Sequence, residues 1–236
     1  MFLAVLMTSN SELGPYARYC LARFVLRFSE GESTGHSTKQ MASCFGVSEQ
    51  VMSASLRALV ASGVLICRSE QLAGKRGPAS QLYRISPEWA KGQPGQYHEA
   101  AIADMLQRPR TNVVSAPLNY PPEIEGEDAV VERAKARGRA VGKTRQPGRV
   151  SNVNRLVMAV LLCRADRLGA VRDLGLAELS KLTGLTGDQA SNRIKTLRAA
   201  GLIRSYIPGA TSSTLFRPTK SAYFLNLGHP EIAAAW

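Results

Sequence analysis

"GLTGDQASNRIKTLRAAGLI", residues 184–203, lies without a gap on "GVSEQVMSASLRALVASGVL", residues 46–65, at a shift of 138 positions. Of the 20 pairs, five are identical: Gly46/Gly184, Ser53/Ser191, Leu59/Leu197, Ala61/Ala199 and Gly63/Gly201. Seven more are close exchanges, among them Val47/Leu185, Ser48/Thr186, Leu56/Ile194 and Arg57/Lys195. Two unrelated amphipathic helices would share apolar spacing. They would not also share a glycine at each flank and a hydroxyl residue at the cap. The chain reads as one unit written twice.

In the second copy Ala190, Ile194 and Leu197 recur three and four residues apart, the period of a helix buried on one side. The other side carries Gln189, Asn192, Lys195 and Arg198. Gly46 and Gly184 suit a tight turn before this helix, because glycine accepts positive φ without penalty. Ser48 and Thr186 cap it by accepting a backbone N–H bond, and Gly63 and Gly201 end it in the left-handed region.

The surroundings repeat too. "YARYCLARFVLRF" (16–28) places Ala17, Cys20, Leu21, Phe24, Val25 and Phe28 on one helical stripe, as "VNRLVMAVLL" (153–162) does with Val153, Leu156, Val157, Val160 and Leu161. Each precedes a short helix, "STKQMASCF" or "LAELSKLT", the first with Ser37 and Gln40 at capping-box spacing. Downstream, "GPASQLYRI" (77–85) matches "RPTKSAYFL" (217–225) at a shift of 140, both with a Pro five residues before a Tyr that opens a strand-like run.

Each copy thus predicts helix, helix, turn, helix and a hairpin. This order resembles the winged helix-turn-helix of bacterial transcription regulators, over roughly 12–87 and 151–227. The resemblance implies a mainly α fold with small β-hairpin wings (α+β). Two winged-helix domains, 1–90 and 151–236, would be joined by a flexible linker, 91–150, that leaves their spacing loose. In that family the second helix of the motif enters the major groove. Carried over, the reading positions of the second copy are Gly187, Asp188, Gln189, Ser191, Asn192, Lys195 and Arg198. Those of the first are Glu49, Gln50, Ser53, Ala54 and Arg57. Asn or Gln pairs with adenine and Arg or Lys with guanine, so the second copy is the better equipped. Lys75 and Arg76 in one wing, and Arg217 and Lys220 in the other, would hold phosphate and give affinity without sequence information. Read without the family, the same helix face is equally a solvated one.

Composition points the same way. With 30 Lys+Arg against 18 Asp+Glu the net charge is +12, and a polyanion is the expected partner: nucleic acid first, anionic membrane second. Residues 1–87 carry 9 basic and 5 acidic groups, and residues 151–236 carry 11 and 5, so the second domain is the more basic. Cys20, Cys44, Cys67 and Cys163 are scattered and read as small buried hydrophobes in a reducing cytoplasm. Neither they nor His36, His98 and His229 have zinc-ligand spacing. "MFLAVLM" (1–7) is too short for a signal peptide or membrane span and predicts a terminal strand or helix against the first domain.

Between the repeats, "HEAAIADMLQ" (98–107) predicts a short helix, packed on the first domain with Trp89. A proline-rich stretch follows. Glu123, Glu125, Glu127, Asp128 and Glu132 then precede Arg133, Lys135, Arg137, Arg139, Lys143, Arg145 and Arg149, a basic run suited to an arm along DNA, to pairing with the acids before it, or to a solvated tether. No catalytic constellation, cofactor loop or metal pair is legible, so no enzyme is expected. The expected function is sequence-specific double-stranded DNA binding in transcription regulation. A plasmid or phage replication initiator is the first alternative. A protein-interaction scaffold is the second, with a homodimer or protein partner docking through domain 1.

Overall fold

A computed structural model of the protein describes residues 2–8, 10, 12–28, 33, 36–70, 80–89, 97–108, 150–209 and 219–233. The wing residues Lys75, Arg76 and Arg217, and the charged run 123–149, lie outside them. The described chain mixes helices with small antiparallel sheets.

In the first copy α1 (Phe2–Met7) precedes α2 (Pro15–Phe28), α3 (Thr38–Phe45) and α4 (Glu49–Ala61). The hairpin of β1 (Leu65–Glu70) and β2 (Ser80–Ile85) follows, in register from Leu65↔Ile85 to Glu70↔Ser80. After α5 (Glu99–Gln107), the second copy runs α6 (Asn152–Arg164), β3 (Ala170–Val171), α7 (Leu176–Thr183), α8 (Gly187–Ala199), β4 (Ile203–Ile207) and β5 (Ala222–Leu225). It closes with the short α9 (Pro230–Ala233). The three strands lie in the order β3-β5-β4.

Local chemistry accounts for these boundaries. Gly46 and Gly184 sit at φ 66 and 69, the left-handed turn read from sequence. Ser48 Oγ accepts from Val51 N at 3.3 Å, and Thr186 Oγ1 accepts from Gln189 N at 3.3 Å. Ser37 and Gln40 form the complete capping box. In the second copy β3 pairs Val171 with Tyr223. Among the described residues of the first copy, Ser33 meets the equivalent tyrosine. Ser33 N donates to Tyr83 O at 3.0 Å and Ser33 Oγ accepts from Tyr83 N at 2.9 Å, on the tyrosine that the sequence repeat aligns with Tyr223.

The arrangement of the copies departs from the expectation of loosely spaced domains. Residues Met1–Arg110 and Val150–Trp236 form one compact unit. Helix α6 is its axle: all twelve residues from Asn152 to Cys163 are buried, not the single stripe that periodicity predicts. It is enclosed by α1, α2, α5, α7 and α8, elements of both copies. Helix α5 forms where expected but packs on α6 and α9 as well as α2, so it fastens the second copy to the first. Likewise α1 rests on both α2 and α6, with Val5 and Leu6 buried.

Cys20 and Cys163 are buried as expected, and burial raises their thiols to about 11 and about 12. Cys44 corrects that expectation: it is exposed, because it falls on the outward side of α3, and Cys67 is half-buried at the hairpin. No helix among the described residues is long and apolar enough to cross a membrane. None of their His, Cys, Asp and Glu form a cluster that could hold a metal ion.

Candidate nucleic-acid interface

Helix α8 buries Ala190, Ile194 and Leu197 against its own copy. At 3.6 residues per turn each residue advances about 100°. The centre of the opposite face is therefore Asp188, Asn192, Lys195 and Ala199, all exposed. Gln189 and Thr196 form one shoulder, also exposed. On the other shoulder lie Ser191, half-buried, and Arg198, exposed and near the helix end, where a cation suits the dipole. The structure thus brings Gln189, Asn192, Lys195 and Arg198 onto one accessible helix but does not weight them equally. Asn192 and Lys195 stand in the middle, and Arg198 is peripheral.

Gln189 is partly committed elsewhere. Its Oε1 accepts from Thr186 N at 3.1 Å, the return half of a capping box. Bidentate pairing with adenine needs both the oxygen and the nitrogen of the amide, so it would require opening this box. While the box is closed only the Nε2 donors are offered outward. Thr196 is occupied too, its hydroxyl donating to Asn192 O at 2.9 Å. Asn192 makes no such side-chain commitment among the described hydrogen bonds and is the better-placed amide.

The equivalent face of α4 is poorer. Gln50, Ala54, Arg57 and Ala61 take the central positions, all exposed, with Glu49 exposed at the first turn and Ser53 half-buried. A carboxylate at a helix N-terminus favours the dipole but repels phosphate. One side-chain amide and one cation remain.

Of the wing residues read from sequence, Lys220 is described. It is exposed, and its ammonium donates to Asp173 O at 3.1 Å, which holds it against the loop before α7. Beyond β4, Gly209 N donates to Ser221 Oγ, just before β5, at 3.2 Å. A side chain at Gly209 would place its Cβ 2.3 Å from Thr219 O, so the strands can approach there only with glycine.

Sequence reasoning missed the residues that hold the two helix faces in a fixed relation. Arg18 of α2 is buried and donates to four carbonyls: Leu13 O at 3.0 Å, Thr8 O at 3.1 Å, Leu182 O at 2.8 Å, and Asn10 O. Leu182 belongs to the last turn of α7, in the other copy. Burial lowers the pKa of this guanidinium. Arg23, also buried, donates to Cys44 O and Leu106 O, in the last turns of α3 and α5, and lies over the Phe45 ring. Arg155 of α6 donates to Arg108 O at 2.7 Å and lies 3.5 Å from the carboxylate of Glu231, the two side chains 2 % and 3 % exposed. Each arginine thus supplies cationic donors to C-terminal carbonyls left unpaired within their helices. The available signal was an arginine within an apolar helical run, which reads first as a wet face.

No protein-family model, curated protein or solved structure matches the chain.

Proposed function

We propose that the chain is a sequence-specific double-stranded DNA-binding protein of the transcription-regulator type, built from two winged helix-turn-helix units. One observation carries the reading. A helix entered through a left-handed glycine turn and a hydroxyl cap exposes Asn192 and Lys195 at the centre of its free face, with Gln189 and Arg198 beside them. A net charge of +12 supports a polyanionic partner. The reading residues are Gln189, Asn192 and Lys195 of α8, with a smaller contribution from Gln50 and Arg57 of α4. Ser191, Ser53, Arg198 and Lys220 suit backbone contact, as do Lys75, Arg76 and Arg217 of the wings.

The test is DNA binding followed by fluorescence anisotropy over a salt series. Binding that weakens steeply between about 50 and 200 mM salt is the expected result, because Lys and Arg on phosphates release counterions. Absence of any salt-sensitive binding would falsify the proposal. Footprints on promoter DNA favour the regulator, and footprints on repeated origin elements favour a replication initiator. A scaffold role through the first copy draws support from Glu49 and Ala54 on α4, and predicts protein binding indifferent to Lys195→Glu.

A further inference from the structure

Two contacts between the copies have a relation that neither shows alone. Gly184, the turn glycine of the second copy, lies against the start of α2: a Cβ there would be 2.3 Å from Leu13 O and 3.1 Å from the Gly14 carbonyl carbon. Asn152, the first residue of α6, donates its side-chain N–H to the carbonyl of Gly46, the turn glycine of the first copy, at 3.0 Å. At the shift of 138 that superposes the repeats, Gly14 becomes Asn152 and Gly46 becomes Gly184. The two contacts are the same pair of positions with the copies exchanged. The helices α2 and α6 that pack between them are also equivalents.

A head-to-tail arrangement would give one such contact and leave the other pair of surfaces apart. Mutual exchange is the signature of an isologous, two-fold interface. It lies here inside one chain. The axis relates α4 to α8, since each helix begins three residues after its turn glycine.

On the DNA-binding reading above, we infer that a single chain recognises an imperfect inverted repeat: two unequal half-sites on opposite strands at one fixed separation. Inversion follows from the two-fold, which presents the two reading helices to the duplex in opposite senses. Fixed separation follows from the seam, where Arg18 on Leu182 O and Asn152 on Gly46 O join packed surfaces rather than a tether. Inequality follows from the faces. Lys195 has a cationic counterpart in Arg57, but Asn192 is matched by Ala54, Gln189 by Val51 and Asp188 by Gln50. The cation position recurs in both half-sites. Two amides, Gln189 and Asn192, belong to one, and the other offers a single amide, Gln50, beside the methyl of Ala54, which suits thymine.

The experiment is selection of bound duplexes from a random pool by the full chain, with light scattering to count chains per duplex. The expected motif has two blocks of opposite sense at one spacing, bound by one chain. Reversing one block in place, or inserting five base pairs (about half a helical turn) between the blocks, lowers affinity at least about tenfold. Asn192→Ala, at an exposed position, removes base preference in one block and leaves the other intact. Blocks of the same sense, tolerance of variable spacing, a single block, or two chains on one inverted repeat each overturn the inference while leaving DNA binding standing. No DNA binding at all overturns the proposed function, and this inference with it.

Discussion

The two copies have nearly the same backbone plan and divide the polar residues between them. In the first, α2 carries the buried arginines Arg18 and Arg23, and α4 offers a sparse outer face. In the second, the positions equivalent to those arginines at the shift of 138 are Leu156 and Leu161, both buried and apolar, while α8 offers the richer face. Even so, the carbonyls of Cys44 and Leu182, themselves equivalent, are both satisfied by an arginine of α2. A repeated fold therefore does not oblige repeated chemistry. The first copy's α2 carries two anchoring arginines, and the second copy's α8 carries the richer outer face.

The largest expected effect falls on a buried ion pair of the second copy, whose arginine stands where the first copy has Ala17. Glu231→Ala leaves the buried Arg155 without its counter-charge and should cost about 3–5 kcal/mol of stability in denaturant unfolding. Removing one partner of the exposed Arg164–Glu178 pair should cost less than about 1 kcal/mol. Equal losses would show that burial adds nothing to the Arg155–Glu231 pair. Gly184→Ala comes next. It combines a left-handed φ of 69 with a Cβ 2.3 Å from Leu13 O, so about 2–4 kcal/mol is expected. Gly63→Ala, at φ 70 in open space, should lose about 1–2 kcal/mol, which isolates the contact from the backbone term.

Substitutions on the two faces sharpen the contrast in binding. On the DNA reading, Asn192→Ala should lose about 1–3 kcal/mol of discrimination between preferred and altered sites, and Ala54→Asn should alter preference at the opposite block. Lys195→Glu should weaken binding more than Arg57→Glu. Equal effects would show that the copies share the reading evenly.

The smallest effect is a pH dependence. His229 Nε2 faces Ala200 O at 3.1 Å and Nδ1 accepts from Glu231 N at 3.2 Å, which together require the neutral ring with its proton on Nε2. Burial, the main cause, lowers its pKa from 6.5, against opposing contributions from Ala200 and Glu231. Protonation is thus easier in the unfolded chain, so stability should be fully present above about pH 6.5 and decline as pH falls below it. His229→Gln should flatten that decline in a series of melting curves.

The helix starts, the turn glycines and the hairpins were legible because each depends on a few adjacent residues. Ser37 with Gln40 signalled a capping box, and the box at Thr186 and Gln189 has the same spacing. That spacing already warned that Gln189 serves the backbone as well as the surface. Strand β3 was too short to read; it is positioned by the Asp166 carboxylate, which accepts from Leu168 N and Ala170 N at 2.9 Å each. The seam was not legible. Asn152, Arg155 and Arg18 are polar, and nothing within a few residues of them says that they are buried. Their partners stand up to 164 residues away, at carbonyls whose orphaned state exists only once the helices have formed.

The internal two-fold also changes how substitutions count. Where identical chains meet across an axis, every mutation is entered twice, and a residue that helps at one place must be tolerated at its mirror position. Here each position is written once. Arg18 can grip Leu182 while its mirror position keeps Leu156 in the core, where a second arginine would have to displace an apolar side chain. A symmetric architecture encoded asymmetrically lets each half be tuned without altering the other.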